Sequence, residues 1–402
     1  MAVGKGTFPA LPAIEGVRLG TAMAGIKKPD RRDLVVIEIA PGATVAGTFT
    51  RNAFCAAPVH VAKRHLASET PRYLLINTGN ANAGTGELGM RDAEASCAEL
   101  GRLAEVAGTA VLPFSTGVIG EPLPMQRLLA GLPAALDSLA AGGWAAAAEG
   151  ILTTDTRPKG ATASVEIGGQ TVTISGISKG SGMIQPNMAT MLAFVATDAS
   201  IAQADLEQWL REGVARSFNC ITVDSDTSTN DACMLIATGQ GPAVSAEDDV
   251  ARFRAALDGV LVELAQAIIR DGEGATKFVT LDVSQARSRQ EALDVAFTVA
   301  HSPLVKTALY ASDANWGRIL AAVGRAPVAD FDVDRVVIDL GDVRLVEHGG
   351  RAASYTEEAG SAVMAGEEIA IRIRLGRGEA DATVWTSDLS HEYVSINADY
   401  RS

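Results

Sequence analysis

The segment 179–192, KGSGMIQPNMATML, joins a lysine and glycines to a threonine that follows an alanine. Glycine and proline permit backbone shapes that other residues resist, so strain at the Ala189–Thr190 peptide would let the Thr190 hydroxyl attack the Ala189 carbonyl. Hydrolysis of the resulting ester would leave Thr190 as a new N-terminus, whose α-amine, with a pKa of about 8, is a general base for the hydroxyl. These residues fit a self-cleaving nucleophile, but their spacing alone favours the alternative, an ordinary glycine-rich turn before a buried strand at 191–195.

A second segment, Ser115-Thr116-Gly117, follows a predicted strand at 110–113. An acyl transfer that passes through a tetrahedral intermediate needs hydrogen-bond donors aimed at the developing oxyanion, and small residues allow backbone N–H groups to approach closely. The alternative is a turn in which the hydroxyl groups only cap a loop, which is the usual interpretation of an isolated Ser-Thr-Gly.

The run SKGSGMIQPNMATMLAF resembles the processing site of the ornithine acetyltransferase (glutamate N-acetyltransferase) family of arginine biosynthesis, whose precursor cuts itself at an Ala-Thr bond. Further segments agree in the same order along the chain: NTGNANA at 77–83, STGVIG at 115–120, TTDT at 153–156, VDSDTSTND at 223–231, DGEGATK at 271–277, DANWGR at 313–318 and INADYRS at 396–402. The resemblance spans nearly the whole chain and favours the self-cleaving interpretation of Thr190.

The resemblance implies a two-step covalent exchange. Thr190 takes the acetyl group of N2-acetyl-L-ornithine, and L-glutamate then accepts it to give N-acetylglutamate; some relatives also use acetyl-CoA as the donor. No cofactor and no metal is expected for this cycle. Two alternatives stay open: a self-processing amidohydrolase or aminopeptidase with water as the acceptor, and a non-catalytic protein that binds small amino-acid derivatives.

The same resemblance implies the residues of the site. The Thr116 hydroxyl and the Gly117 N–H correspond to the oxyanion hole. Amino-acid substrates carry a carboxylate and an ammonium group, for which Lys179 and Glu273 are the candidate partners. By residue type and setting alone, the lysine would be a surface residue and the glutamate part of an exposed turn. The implied substrate-binding residues are Thr153, Lys179, Thr190, Glu273, Asn397 and Ser402.

The predicted fold class is α/β, with mixed α and β layers. The resemblance implies an ornithine acetyltransferase-like layered fold formed jointly by two fragments, an alpha chain of residues 1–189 and a beta chain of residues 190–402, with two of each in a heterotetramer. Hydrophobic periodicity predicts strands at 34–39, 73–76, 335–340, 368–375 and 382–386, and helices at 87–107, 125–139, 204–217 and 247–270.

Composition excludes several classes of protein. With 402 residues and 47% hydrophobic content the chain can bury a large core, while a formal charge of −14 argues against a nucleic-acid partner. No apolar run is long enough for a membrane span, so a cytoplasmic location is expected, with small molecules as partners. Asp224, Asp226, Asn230 and Asp231 lack the spacing of a calcium loop, which favours a polar turn or a hydrogen-bond network over a metal site.

Overall fold

The computed structural model describes residues 2–4, 6–185 and 191–398, so the predicted Ala189, Thr190 and Ser402 lie outside the described residues. In chain order the strands are β1 (Val17–Ala22), β2 (Leu34–Ile39), β3 (Thr44–Phe49), β4 (Tyr73–Asn80), β5 (Val111–Val118), β6 (Lys159–Ile167), β7 (Gln170–Lys179), β8 (Leu192–Thr197), β9 (Ile221–Thr222), β10 (Ala232–Ala237), β11 (Phe278–Ala286), β12 (Val337–Leu340), β13 (Val343–Glu347), β14 (Gly350–Arg351), β15 (Glu368–Arg374) and β16 (Ala380–Ser387).

The helices are α1 (Ala57–Ser68), α2 (Gly86–Leu103), α3 (Met125–Asp137), α4 (Trp144–Gly150), α5 (Gln203–Arg216), α6 (Glu247–Arg270), α7 (Arg289–Ala300), α8 (Pro303–Tyr310), α9 (Trp316–Gly324), α10 (Glu357–Met364) and α11 (His391–Ala398). Single 3-10 turns occur at Gly108–Ala110, Phe218–Cys220 and Val333–Arg335.

The chain forms two compact units. The N-terminal unit comprises Thr7–Asn219 and Asp226–Ile268, and the C-terminal unit comprises Met1–Gly6, Cys220–Ser225 and Ile269–Ser402. Neither unit coincides with a predicted fragment, because the N-terminal unit contains residues from both sides of the Ala189–Thr190 bond. The mixed α/β class is confirmed. Strand β7, which precedes this bond, pairs antiparallel with β8, which follows it.

The strands of the N-terminal unit form two sheets. The first has the order β1-β2-β4-β5, in which β4 and β5 are parallel and the other neighbours antiparallel. The second has the order β3-β10-β8-β7-β6, in which β8 and β10 are parallel and the other neighbours antiparallel. The parallel pair in each sheet brings polar residues at strand ends into register.

The two sheets of the N-terminal unit pack face to face. Side chains of a strand alternate between faces, so Val35 of β2 joins the core shared with the second sheet while Leu34 joins the core beneath α2 and α3. In the shared core Phe114 of β5 meets Phe194 of β8 edge to face, with ring centroids 5.2 Å apart. Helices α5 and α6 pack on the second sheet. The unit therefore has four layers, in the order helices, sheet, sheet, helices.

The C-terminal unit is built on one mixed sheet of the order β14-β13-β12-β15-β11-β16-β9. The pairs β11–β15 and β16–β9 are parallel, and the other pairs are antiparallel. Val279, Leu281 and Val283 of β11 face the same side because they are two residues apart, and they share a core with Val295 and Val299 of α7. This sheet carries the loop that contains Glu273 and the terminal helix α11.

The strongest periodic patterns were predicted with correct bounds. The strand at 34–39 and the helix at 247–270 are confirmed as β2 and α6. The strand predicted at 110–113 is too short, since β5 continues to Val118. Among the described residues, no helix combines the length and apolar character needed to cross a bilayer.

Candidate active site

Thr116 and Gly117 lie inside β5, not in a turn after it. Thr116 is opposite Thr78 and Gly117 is opposite Gly79 in the parallel β4–β5 pair, and the register shifts immediately after Gly79. The predicted end of the strand at Pro113 and the alternative of a capping turn are both wrong. A residue at the end of a strand pair has fixed backbone groups, which an oxyanion hole requires.

Gly117 has a backbone that other residues would not adopt without strain. Its φ is +136°, and a Cβ built on it would lie 2.2 Å from the carbonyl carbon of Gly79 and 2.5 Å from the amide nitrogen of Asn80. Only glycine accommodates both the dihedral angle and the close approach of β4. The close approach of β4 therefore requires a glycine at the third position of Ser-Thr-Gly.

Lys179 is the last residue of β7, and its side chain points into the protein. It is 4% exposed, and its Nζ donates a hydrogen bond of 3.0 Å to Thr116 Oγ1. The alternative of a surface lysine is wrong. An ammonium has donors only, so the Thr116 oxygen is the acceptor and its hydroxyl hydrogen points elsewhere.

Asp155 was missed by the sequence analysis, although it belongs to the TTDT segment. Its Oδ1 accepts from Lys159 Nζ at 2.6 Å and from the Gly180 amide at 2.7 Å, and its Oδ2 accepts from the Thr153 amide at 3.0 Å. The Lys159 and Asp155 side chains are 1% and 0% exposed. Burial alone would raise the pKa of the Asp155 carboxyl, but the ammonium groups of Lys159 and Lys179 hold that pKa below its usual range.

Asn230 and Asp231 stand at the start of β10 and connect both sheets of the N-terminal unit. Asn230 Nδ2 donates to the carbonyl groups of Ala81 at 2.7 Å and of Ser115 at 2.9 Å. Asp231 Oδ1 accepts from the Met191 amide at 2.9 Å, and burial raises the pKa of this carboxyl well above its usual range. The predicted hydrogen-bond network is confirmed for these two residues.

Within residues 2–4, 6–185 and 191–398, no group of three or more His, Cys, Asp or Glu side chains is arranged to hold a metal ion. The carboxylates of the site instead accept from protein N–H groups, as for Asp155 and Asp231.

Glu273 and Asn397 lie together in the C-terminal unit. Glu273 follows α6, and Asn397 Nδ2 donates to its Oε2 at 2.8 Å and to the Tyr393 carbonyl at 3.0 Å. Glu273 is 7% exposed, so its placement in an exposed turn is wrong. The Tyr393 hydroxyl donates to Asp224 Oδ2 at 3.1 Å, which ties α11 to the segment around β9.

The model of the ArgJ family matches residues 18–402. This chain belongs to the ArgJ family. It is 57% identical over 406 residues to the arginine biosynthesis bifunctional protein ArgJ of Pseudomonas syringae pv. tomato, covering 100% of both chains. Identity and coverage are the same for the protein of that name from Pseudomonas fluorescens. The crystal structure of the arginine biosynthesis bifunctional protein ArgJ from Bacillus halodurans is 37% identical, with a TM-score of 0.49 over 51% of this chain and 97% of that chain.

The predicted site residues of this ArgJ chain fall into two groups that the structure describes. In the N-terminal unit, Thr116, Lys179 and Thr153 are connected through one hydrogen-bond network that includes Asp155. In the C-terminal unit, Glu273 and Asn397 form a direct pair. Asp155 lies inside the TTDT motif, and Lys159 follows it by four residues, so the sequence offered a possible acid–base pair. Only the burial of this pair beside Thr153 connects it with the predicted site.

Proposed function

We propose that this ArgJ chain transfers the acetyl group of N2-acetyl-L-ornithine to L-glutamate through an acetyl ester on Thr190. The predicted family and the enzyme class, an acetyltransferase of arginine biosynthesis, are confirmed by the family match and by the full-length relatives. The ester and the roles of individual residues stay predictions. The observation that carries them is the bond from the buried Lys179 ammonium to the Thr116 hydroxyl, because it puts a positive charge beside the predicted oxyanion hole.

In the proposed first step the Thr190 oxygen attacks the acetyl carbonyl and its proton passes to the Thr190 α-amine. The oxyanion accepts hydrogen bonds from the Thr116 hydroxyl and the Gly117 N–H. The C–N bond then breaks, and ornithine leaves with the proton. In the second step the neutral glutamate amine attacks the acetyl ester, the bond from the acetyl carbon to the Thr190 oxygen breaks, and a proton of the amine passes through the Thr190 α-amine to that oxygen. Water must be kept from the ester, because hydrolysis would compete with transfer.

We propose that cleavage of the Ala189–Thr190 bond produces the nucleophile and divides the chain into residues 1–189 and 190–402. The pairing of β7 with β8 supports this proposal, since Lys179 and Leu192 are opposite each other in the sheet. The hydrogen bonds between β7 and β8 would keep these two strands in one sheet after a single peptide bond between them is cut. The fragments would therefore stay assembled.

The proposed substrate contacts are Thr153, Lys179, Thr190, Glu273, Asn397 and Ser402. Lys179 supports binding of a substrate carboxylate or carbonyl oxygen, because its ammonium lies beside Thr116. Glu273 supplies a buried carboxylate for a substrate ammonium group. Acetyl-CoA is proposed as a second donor, since the full-length relatives are named bifunctional.

We also propose a cytoplasmic heterotetramer of two alpha and two beta chains that requires no cofactor. Size-exclusion chromatography with light scattering, combined with a denaturing gel, tests this assembly. Two alpha and two beta fragments in one particle would support it, and a particle with one of each would contradict it.

The first experiment is intact mass spectrometry of the freshly purified chain under denaturing conditions, followed by N-terminal sequencing of any fragment. A fragment that begins Thr190-Met191-Leu192 supports self-processing, and the full-length chain alone contradicts it. The processed protein is then given N2-acetyl-L-ornithine with and without L-glutamate. Formation of N-acetylglutamate supports the transferase, whereas ornithine release at the same rate without glutamate supports the amidohydrolase alternative.

A further inference from the structure

Asp155 accepts hydrogen bonds from Thr153, from Gly180 beside Lys179, and from a second lysine, Lys159. Its Oδ1 binds the amide of Gly180, the residue after Lys179, at 2.7 Å, and its Oδ2 binds the amide of Thr153 at 3.0 Å. Lys159 Nζ completes the set at 2.6 Å. One carboxylate thus fixes the backbone at two of the proposed substrate contacts.

Two buried lysines and two buried acids interact near the end of β7. Lys159 and Lys179 are 2% and 4% exposed; both ammonium groups lower the pKa of the Asp155 carboxyl, and Lys179 also lowers that of Asp231. Burial raises the pKa of Asp231 well above its usual range, whereas the two lysines hold the pKa of Asp155 below its usual range. Asp155 is therefore an ionised acid that acts on both lysines.

Lys179 Nζ is the donor in its hydrogen bond with Thr116, and this leaves the Thr116 hydroxyl hydrogen for another acceptor. When Lys179 Nζ donates to Thr116 Oγ1, the hydroxyl hydrogen cannot point back at the lysine and is available for another acceptor. An oxyanion is such an acceptor, and a hydroxyl that already accepts a charged hydrogen bond is a stronger donor. The position of Lys179 depends on the Gly180 backbone that Asp155 holds.

We propose that Asp155 is a positioning residue of the acyl-transfer site, which holds the Lys179–Gly180 backbone and the Thr153 amide and supplies a negative charge that favours the Lys179 ammonium on Thr116. Lys159 shares that carboxylate and so limits the negative charge that reaches Lys179. This inference rests on the proposed role of Thr116 in the oxyanion hole.

The test compares two variants with opposite expected effects. Asp155→Asn keeps the shape but removes the counter-charge, so we expect kcat to fall about 10²-fold, the order found for losing one oxyanion-hole donor, with a smaller change in KM. The alkaline limb of the pH profile of kcat/KM is expected to move to lower pH, because the Lys179 ammonium loses its stabilising charge. Lys159→Gln removes the competing ammonium, and the alkaline limb is expected to move to higher pH.

Asp33→Asn is the matched control for a structural role. Asp33 is also a buried carboxylate of the N-terminal unit, 3% exposed, and it accepts from the Ala24 amide at 2.7 Å and the Ile26 amide at 2.5 Å. This variant is expected to lower the thermal unfolding midpoint and to leave the pH profile unchanged. All rates are normalised to the amount of processed protein, measured by mass spectrometry.

Three outcomes would overturn the proposal: an unchanged profile in Asp155→Asn, shifts of the same sign in Asp155→Asn and Lys159→Gln, or a shift in Asp33→Asn as large as that in Asp155→Asn. If Asp155→Asn does not fold, the upward shift in Lys159→Gln decides alone, and its absence overturns the proposal. Failure of the proposed function gives a different result, since a Thr116→Val variant would then turn over at the wild-type rate.

Discussion

Replacing Gly117 by alanine places a methyl group where β5 comes closest to β4. The added Cβ would lie 2.2 Å from the carbonyl carbon of Gly79, about 1.2 Å short of an ordinary contact. The Gly79 carbon is a backbone atom, so it cannot move aside by rotation of a side chain. The φ of +136° adds strain of about 1–3 kcal/mol for a residue with a side chain. Overpacking adds about another 1–3 kcal/mol. We therefore expect β5 and β4 to separate by about 1 Å in Gly117→Ala.

A displacement of this size moves the Gly117 N–H away from the oxyanion. Misplacement by about 1 Å can cost about 10²-fold in rate, and losing one oxyanion-hole donor costs about 10²–10³-fold. We expect kcat for acetyl transfer from N2-acetyl-L-ornithine to L-glutamate to fall by about 10²–10³-fold, with a lower thermal unfolding midpoint. The rate is measured by mass spectrometric detection of N-acetylglutamate.

Two alanine variants separate the causes. Gly120→Ala has a φ of +85° and no atom within 4 Å of the new Cβ, so it carries strain without a clash. Gly142→Ala adds neither strain nor a clash, since the φ of Gly142 is not in the left-handed region and the new Cβ meets nothing within 4 Å. Both are expected to keep kcat within a few-fold of wild type. A Gly117→Ala enzyme with wild-type kcat would refute the assignment of its N–H to the oxyanion hole.

Three further predictions address other parts of the molecule. Thr116→Val removes the hydroxyl but keeps a branched side chain, and kcat is expected to fall about 10²–10³-fold with little change in KM in steady-state kinetics. Asp231→Ala leaves the buried Met191 amide unpaired and is expected to lower the unfolding free energy by about 1–3 kcal/mol in urea titrations, whereas Asp231→Asn keeps an acceptor and should lose less. Burial lowers the pKa of Lys306 to about 8, so the wild type should gain stability relative to Lys306→Met as the pH rises from about 8 to 10, because the unfolded lysine still binds the proton that the folded one has lost. A difference in unfolding midpoint that stays constant over this range would contradict that assignment.

Local sequence patterns were sufficient to predict the bounds of elements whose formation depends on local residue spacing. The helix at 247–270 repeats apolar residues at three- and four-residue steps, and the strand at 34–39 is an apolar run with β-branched residues, so both were predicted with correct bounds. β5 was predicted five residues too short, because Ser115-Thr116-Gly117 has the composition of a turn. Those residues are strand because β4 lies parallel to them, and a pairing partner distant along the chain leaves no local signal.

The sequence by itself determined the family and the reaction, and it predicts the residue types of the site, because motifs such as STG, TTDT and the run around Thr190 lie in one order along the chain. Only the tertiary structure decided how those residues are used. Burial turned Lys179 from an expected surface lysine into the partner of Thr116, and it identified Asp155 as the ionised acid between two lysines. The charge, the pKa and the hydrogen-bond partners of a side chain depend on which groups it contacts away from water. Strand pairing brings these groups together from distant parts of the chain, so the local sequence does not show them.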